Sequence, residues 1–224
     1  MKDLTTTALE TCSDEGATYA DIRIVTVRSE DIIVKNGNIL KLAQTITKGF
    51  GIRTIAEGGW GFAGSFEASK EHVRSAAKLA VRIARASATT RKNPVKLVDE
   101  KPVEDSYETK TKKDPFKVPL EDKLDVLKEA DMRLEAHNEN IKMRSADYWG
   151  KQEDKVFASL EGAYITQKIV LCGGGISCVA VVPGVPPQTR SYPGSFGGDF
   201  AAKGYEYFQE HQLIENAEKT AGEA

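Results

Sequence analysis

Chemistry in this chain would have to start from a glycine run, three histidines and three cysteines. Gly59-Trp60-Gly61-Phe62-Ala63-Gly64 fits the GxGxxG spacing that brings backbone N–H groups against a pyrophosphate where a strand turns into a helix. The rest of that signature is missing. A dinucleotide unit places an acidic residue about 20 positions further on to hold the ribose, yet none occurs between Glu71 and Asp99. Its sheet is also parallel, whereas the strands preceding Gly59 read as hairpins. The glycines are therefore read as structural, letting a twisted strand leave beside two large aromatics. No GxxxxGK[ST] phosphate loop occurs either. His72, His137 and His211 each lack a second histidine three to five residues away, so no zinc-binding helix face of the HExxH kind can be drawn. Cys172 and Cys178 have equal parity on a strand and read as small buried hydrophobes rather than ligands. Ser195, within Gly194-Ser195-Phe196-Gly197-Gly198, has no GxSxG frame. Arg74, Lys78, Arg82 and Arg85, extended by Lys70, Arg91 and Lys92, make a basic stripe that reads as a solvated helix face. Spacing alone assigns no catalytic, cofactor-binding or metal residue.

Composition narrows the function classes further. The 224 residues include 31 Lys+Arg and 33 Asp+Glu, a net charge of −2, with 40% hydrophobic residues. A nucleic-acid binder would carry a basic excess, and a disordered chain would lack the apolar content for a core. No apolar run approaches the roughly 18 residues of a membrane helix. Met1-Lys2-Asp3-Leu4-Thr5 runs straight into polar residues without the apolar core of a signal peptide, so export is not expected. Cys12, Cys172 and Cys178 form no disulfide framework.

The elements that must position any site follow from periodicity. Leu4, Ala8 and Cys12 recur every four residues before Gly16, predicting a short helix with a left-handed glycine stop. Ala20, Ile22 and Ile24 alternate with polar residues as in a half-buried strand. Ser29-Glu30-Asp31 reads as a polar turn, Ile32–Lys35 as a second strand, and Asn36-Gly37 as a hairpin turn. With Ile39–Thr47, Ile52–Ala56 and Trp60–Ala63, residues 19–66 predict about five antiparallel strands. Val73, Ala76, Ala77, Ala80, Ile83, Ala84 and Ser87 mark one face of a helix capped by Ser69. The proline-rich, charged stretch 93–118 reads as a linker or mobile flap. Leu120, Leu124, Leu127, Asp131 and Leu134 predict another helix, with Asp131 the odd member of its apolar stripe. Ile141–Tyr148, Lys155–Ser159 and Tyr164–Val182 read as strands, the first two separated by a turn over Gly150–Asp154. Residues 183–199 read as an irregular loop and 199–221 as a final helix. The order of parts in the two halves suggests a faint internal duplication. The fold class is therefore α+β, two antiparallel sheet-plus-helix units joined by a flexible charged linker, divided as 1–92, 93–118 and 119–224.

Gly16-Ala17-Thr18-Tyr19-Ala20-Asp21-Ile22-Arg23, Asn36-Gly37, Gly49-Phe50-Gly51-Ile52-Arg53 and Gly58-Gly59-Trp60-Gly61-Phe62-Ala63 come in an order that resembles the opening of the TldD/PmbA family, once called modulators of DNA gyrase. Glu129-Ala130-Asp131 and Leu160-Glu161-Gly162-Ala163-Tyr164 fit the same pattern, and the Trp-Gly-Phe-Ala stretch is similar to the TldD branch. The resemblance covers the whole chain but only the N-terminal half of a full-length member. It implies a cytoplasmic zinc metallopeptidase whose paired subunits, a homo- or heterodimer, enclose a cavity and cleave unfolded or extended peptides. It further implies a zinc site on an HExxxH helix plus a distant Cys, the Glu acting as general base on metal-bound water. That helix belongs to a C-terminal half beyond Ala224, so no metal or catalytic residue carries over, and no cofactor is expected in this chain. Two functions follow as expectations. Either the chain is the N-terminal region of such a peptidase, inactive alone, as a fragment or one piece of a split gene, or it is a stand-alone non-catalytic peptide-binding or regulatory module. Neither implies a nucleic-acid or membrane partner.

Overall fold

A computed structural model of the chain describes residues 1–98, 101–137, 139–195 and 198–224. Among these, the first helix is α1, Lys2–Asp14, which buries Thr5, Ala8 and Cys12. Its predicted stop is realised: Gly16 adopts φ +84°, and the Ala17 N–H donates to the Cys12 carbonyl at 2.9 Å. Strand length is the chief departure from the sequence reading. Three strands, β1 (Tyr19–Lys35), β2 (Asn38–Ala56) and β3 (Gly59–Ser65), occupy the region expected to hold five. Ser29-Glu30-Asp31 does not turn the chain but continues inside β1, because the buried Glu30 carboxylate meets the equally buried Lys123. Asn36 and Gly37 make the predicted turn with φ 49° and 77°, the left-handed pair that a two-residue hairpin requires.

The helix predicted after Ser69 is α2, Lys70–Ala88, and the Ser69 hydroxyl accepts the His72 N–H at 3.3 Å. Its buried face is Val73, Ala76, Ala77, Ala80, Val81 and Ala84, with Ile83 on the exposed flank instead. After β4 (Glu104–Glu108) comes α3, Leu120–His137, then β5 (Ile141–Ser159) and β6 (Tyr164–Ala180). Gly150–Asp154 lies within β5, a second expected turn that is continuous strand. The 183–199 loop contains β7 (Gln188–Tyr192), and the expected final helix is β8 (Asp199–Ala201), α4 (Tyr205–Glu210) and α5 (Leu213–Gly222). Gln212, at φ 48°, separates the last two helices. Phe196 and Gly197 of the glycine-rich loop lie outside the described residues, as do residues 99, 100 and 138.

The fold is α+β, and its strands hydrogen-bond in the order β3-β2-β1-β5-β6-β4, with β7 and β8 also on β6. β3 is antiparallel to β2, and β7 and β8 are antiparallel to β6. β4 departs from the antiparallel expectation by running parallel to β6, Glu104 opposite Tyr164 through Glu108 opposite Lys168. Two compact units interleave in sequence. Unit 1 is Met1–Val27, Ile46–Glu108 and Glu153–Lys168; unit 2 is Arg28–Thr45, Thr109–Gln152 and Ile169–Ala224. The sequential division expected at 1–92, 93–118 and 119–224 differs from this because strands of 17 and 19 residues contribute to both units. At roughly 3.3 Å per residue such a strand exceeds the width of one small core.

Within unit 1, α1 and α2 cover Ala20, Ile22, Ile24 and Ile52. Within unit 2, Leu127, Leu134, Phe208, Leu213 and Ala217 of α3, α4 and α5 cover Ile32, Val34, Ala146, Tyr148, Cys172 and Ile176. The stretch read as a linker supplies β4 to unit 1, while in unit 2 the Thr109 hydroxyl accepts the Val170 N–H at 3.1 Å and Val118 joins the core. The N–H groups of Lys112 and Lys113 donate to the Glu206 carboxylate at 3.1 and 2.9 Å. Trypsin is therefore expected to cut first after the exposed Arg91, Lys92 or Lys96 and only later after Lys112, Lys113 or Lys117. Mass spectrometry of early fragments checks the order, and first cleavage at Lys112–Lys117 would contradict it.

Candidate functional site

The glycine run Gly59–Gly64 is placed by packing. A Cβ on Gly61 would lie 1.9 Å from the Ala80 carbonyl oxygen, and one on Gly59 would lie 2.2 Å from that of Ala84. The missing side chains let α2 approach β3, a helix contact, whereas the sequence reading is of a twisted strand leaving beside two large aromatics. Gly173 and Gly174 of β6 instead admit close strand backbone, since a Cβ there would meet the carbonyl oxygens of Asp199 in β8 at 1.9 Å and of Asp147 in β5 at 2.2 Å.

Strand alternation sends Tyr19, Asp21, Arg23, Val25 and Val27 to the face of β1 opposite the helices of unit 1. Asp21 is fully buried there. Its carboxylate accepts from the Tyr19 hydroxyl at 2.8 Å, Arg23 Nη1 at 2.6 Å, and Arg53 Nη2 and Nε at 2.7 and 3.0 Å. Arg23 lies over the Phe157 ring and Arg53 over Trp60, at 4.8 and 5.7 Å. Burial, reinforced by the Asp21 bond, pushes the Tyr19 phenol up to about 12. Beside this cluster runs a groove of about 590 Å³ floored by Gly49, Gly51 and Gly64 and walled by Val25, Phe62 and Phe66. Phe62 is 60% exposed and Phe66, just past β3, 85%; Arg23 and Lys48 also line the groove. β3 ends the strand order on this side.

In unit 2 the polar core groups hold loops and helices. Lys123 Nζ pairs with Glu30, donates to the Pro115 carbonyl at 2.7 Å and lies 4.9 Å from the Tyr148 ring centroid. Asp131, the residue that broke the apolar stripe of α3, accepts the Gly37 N–H at 2.8 Å and Arg144 Nε at 2.9 Å. Arg144 also reaches Glu135 at 2.7 Å, and its N–H donates to Asn36 Oδ1 at 2.9 Å. The stripe anomaly thus clamps the hairpin turn to α3. Burial holds the Asp131 carboxyl above its ordinary range despite these donors. Sequence reasoning missed Lys123, although it sits three residues after Leu120 and four before Leu127 on the same helix stripe.

A second groove, about 430 Å³, lies in unit 2 between Asp31, Ile33, Asp147, Tyr148, Trp149 and Phe200. Burial raises the Asp147 carboxyl above its ordinary value of 3.8, against opposing pulls from the Ser145 hydroxyl and the Lys35 charge. The folded protein therefore holds this proton more tightly than the unfolded chain, and the group's contribution to stability is full below 3.8 and is lost as pH rises through the raised value. Asp147→Asn cannot ionise. It is expected to unfold at a higher temperature than the parent at pH 7, with the gain vanishing as pH approaches 3.8. Thermal melts across that range check it; a destabilised variant at pH 7 would refute it.

The candidate nucleophiles and ligands do not converge. Burial pushes the Cys12 thiol up to about 12 and the Cys172 thiol up to about 11, so neither supplies a thiolate at neutral pH. Cys178 is buried and likewise raised. His72 is spent at the α2 cap, its Nδ1 2.8 Å from Ser69 Oγ. His137 is exposed at the end of α3. His211 is nearly buried beside the Tyr207 ring, 4.6 Å between centroids, and burial keeps its imidazole below the ordinary range. Among the described residues no three His, Cys, Asp or Glu side chains are grouped to hold a metal ion. A zinc ion has no fitting ligand set here, and no metal-dependent step can be derived from these residues.

Each unit packs helices against one face of its strands, and each has an aromatic groove beside its strands. Residues 20–84 match the model of PmbA/TldA metallopeptidase domain 1, and residues 113–224 that of the PmbA/TldA metallopeptidase central domain. The chain belongs to the PmbA/TldD metallopeptidase family. It is 29% identical over 183 residues to a metalloprotease of Methanocaldococcus jannaschii, covering 82% of this chain and 40% of that protein. A metalloprotease of Methanothermobacter thermautotrophicus is 24% identical over 152 residues, 68% of this chain and 32% of its own length. Among solved structures, a modulator of DNA gyrase from Bacteroides thetaiotaomicron superposes with TM-score 0.73 at 10% identity, covering 98% of this chain and 49% of that one. TldE from Thermococcus kodakarensis superposes with TM-score 0.62 at 15% identity over 99% and 46% of the two chains. The chain thus spans less than half the length of these relatives. No helix among the described residues is long and apolar enough to cross a membrane.

Proposed function

We propose that this chain is the N-terminal, substrate-holding region of a cytoplasmic TldD/PmbA-type zinc metallopeptidase. It presents unfolded or extended peptides to a metal site carried elsewhere, in a dimer with a family subunit. The observation behind this reading is β3, a terminal strand whose sequence Gly59–Ser65 carries no charge and no proline, beside a groove with Phe62 and Phe66 exposed. Edge strands normally carry lysine, proline or a bulge that blocks pairing. β3 carries none of these, although its Trp60 carbonyl accepts the Ser87 hydroxyl of α2 at 2.7 Å; the rest of the strand suits added-strand binding, in which main-chain hydrogen bonds hold a peptide and neighbouring pockets take alternate side chains. The near-zero net charge gives no support to nucleic acid as the ligand.

The purified chain should bind a fluorescent unfolded peptide and leave it uncut with or without zinc. Cleavage should appear only when a family subunit bearing HExxxH is added. Zinc-dependent turnover by the chain alone would sink this assignment. If the added subunit never brings hydrolysis while binding persists, the stand-alone binding module is the correct reading. Because both rings are largely in solvent, Phe62→Ser with Phe66→Ser is expected to weaken peptide affinity about tenfold or more, with a melting temperature close to the parent's. Unchanged affinity in anisotropy titrations would remove β3 from the site.

A further inference from the structure

We propose that the groove between Asp31, Ile33, Asp147, Trp149 and Phe200 of unit 2 is a subsite for a basic side chain, arginine or lysine, of a bound extended peptide. This rests on the peptide-binding reading above and adds a substrate preference to it. Trp149 and Phe200 stand edge to face, with centroids 5.3 Å apart and planes at 84°, and Phe200 keeps 43% of its surface exposed. With Ile33 they offer an apolar wall matched to the methylene stem of a long basic side chain, whose charged head seeks a carboxylate or a ring face. Asp31 and Asp147 supply the carboxylates and, among the described residues, are the charged ones lining the groove.

The chain's own cations do not fill that role. Lys41 reaches Asp31 at 3.4 Å with 47% of its side chain exposed, a contact of the weak, screened kind. Asp147 accepts the Ser145 hydroxyl at 2.8 Å and has Lys35 nearby, yet remains costly to ionise. An arriving cation would favour its ionised form. A calcium or magnesium ion is a poor alternative, because each needs about six or more oxygen ligands and the remaining walls here are hydrocarbon. A nucleotide is disfavoured by the same pair of carboxylates, which would face its phosphates. A planar guanidinium satisfies both features, stacking on an aromatic ring while bonding a carboxylate.

The test uses the full 224-residue chain and three labelled nonapeptides that differ only at the central residue: arginine, norleucine or glutamate. The arginine peptide should bind about tenfold or more tightly than the norleucine peptide, and the glutamate peptide most weakly. Asp31→Asn with Asp147→Asn should erase that preference while leaving the norleucine peptide's affinity in place. Asp31→Asn alone, at a half-exposed position, should reduce it. A second readout is the Trp149 emission, which should shift on titration with acetyl-arginine amide and lose that shift in Trp149→Phe. Equal binding of arginine and norleucine peptides, or a preference that survives the double substitution, overturns the subsite and leaves the peptide reading standing. If none of the three peptides binds, both readings fall together.

Discussion

Lys123→Met should cost unit 2 about 3–5 kcal/mol, a large part of the stability a small domain has. Methionine is one heavy atom shorter but comparably unbranched and close in volume, so most of the loss reports the missing ammonium. Lys123 and Glu30 are 1% and 4% exposed at their side chains, and the lysine also satisfies the Pro115 carbonyl. Without the ammonium, Glu30 is a buried carboxylate with Gln44 Nε2 as its remaining donor at 2.5 Å. Removing both charges is a different operation. Lys123→Met with Glu30→Gln should recover most of the loss, because a buried ion pair returns little net energy once its desolvation is counted. The coupling between the two sites, read from urea midpoints of the four proteins, should therefore be large and of opposite sign to the single effects. Additive losses would mean that Lys123 acts through the Pro115 carbonyl and the Tyr148 ring instead.

The same pair explains what the sequence hides. α1, α2 and the Asn36-Gly37 turn were legible because their signals are local: a four-residue apolar repeat ending at Gly16, a serine cap at Ser69, a left-handed dipeptide. The long strands were not. Glu30 makes Ser29-Glu30-Asp31 look like a turn only as long as its partner, 93 residues away, is unknown. Asp131 stood out as an anomaly on its stripe, but the Gly37 N–H that explains it is 94 residues distant. The Asp31–Asp147 groove left no trace in spacing, since its residues come from β1, β5 and β8 and meet only after the strands pair. Family resemblance was visible because it rests on order along the chain, which needs no tertiary contact to be read.

Gly61→Ala should destabilise unit 1 by about 3 kcal/mol, the upper part of the range for overpacking. The added methyl carbon would lie 1.9 Å from the Ala80 carbonyl oxygen and 2.6 Å from the Ala84 nitrogen, both backbone atoms of α2. Neither can rotate aside. Relief requires α2 to lift from β3, which opens the alanine-lined contact made by Ala77, Ala80 and Ala84. Gly49→Ala is the comparison, because its added carbon would approach only to 3.2 Å, at the Ser65 carbonyl, and a few tenths of an ångström of movement accommodates it. The pair of variants separates two meanings of the GxGxxG spacing. Glycines that served a pyrophosphate would tolerate alanine in the folded state and lose only a ligand. Glycines that serve helix packing lose stability with no ligand present. Thermal and urea unfolding of the unliganded chain distinguish them, and a Gly61→Ala protein as stable as its parent would return the motif to a phosphate-binding reading. A loss confined to Gly61→Ala would instead tie α2 to the edge strand that is proposed to receive peptide, so that loosening the helix should weaken peptide binding through β3 as well.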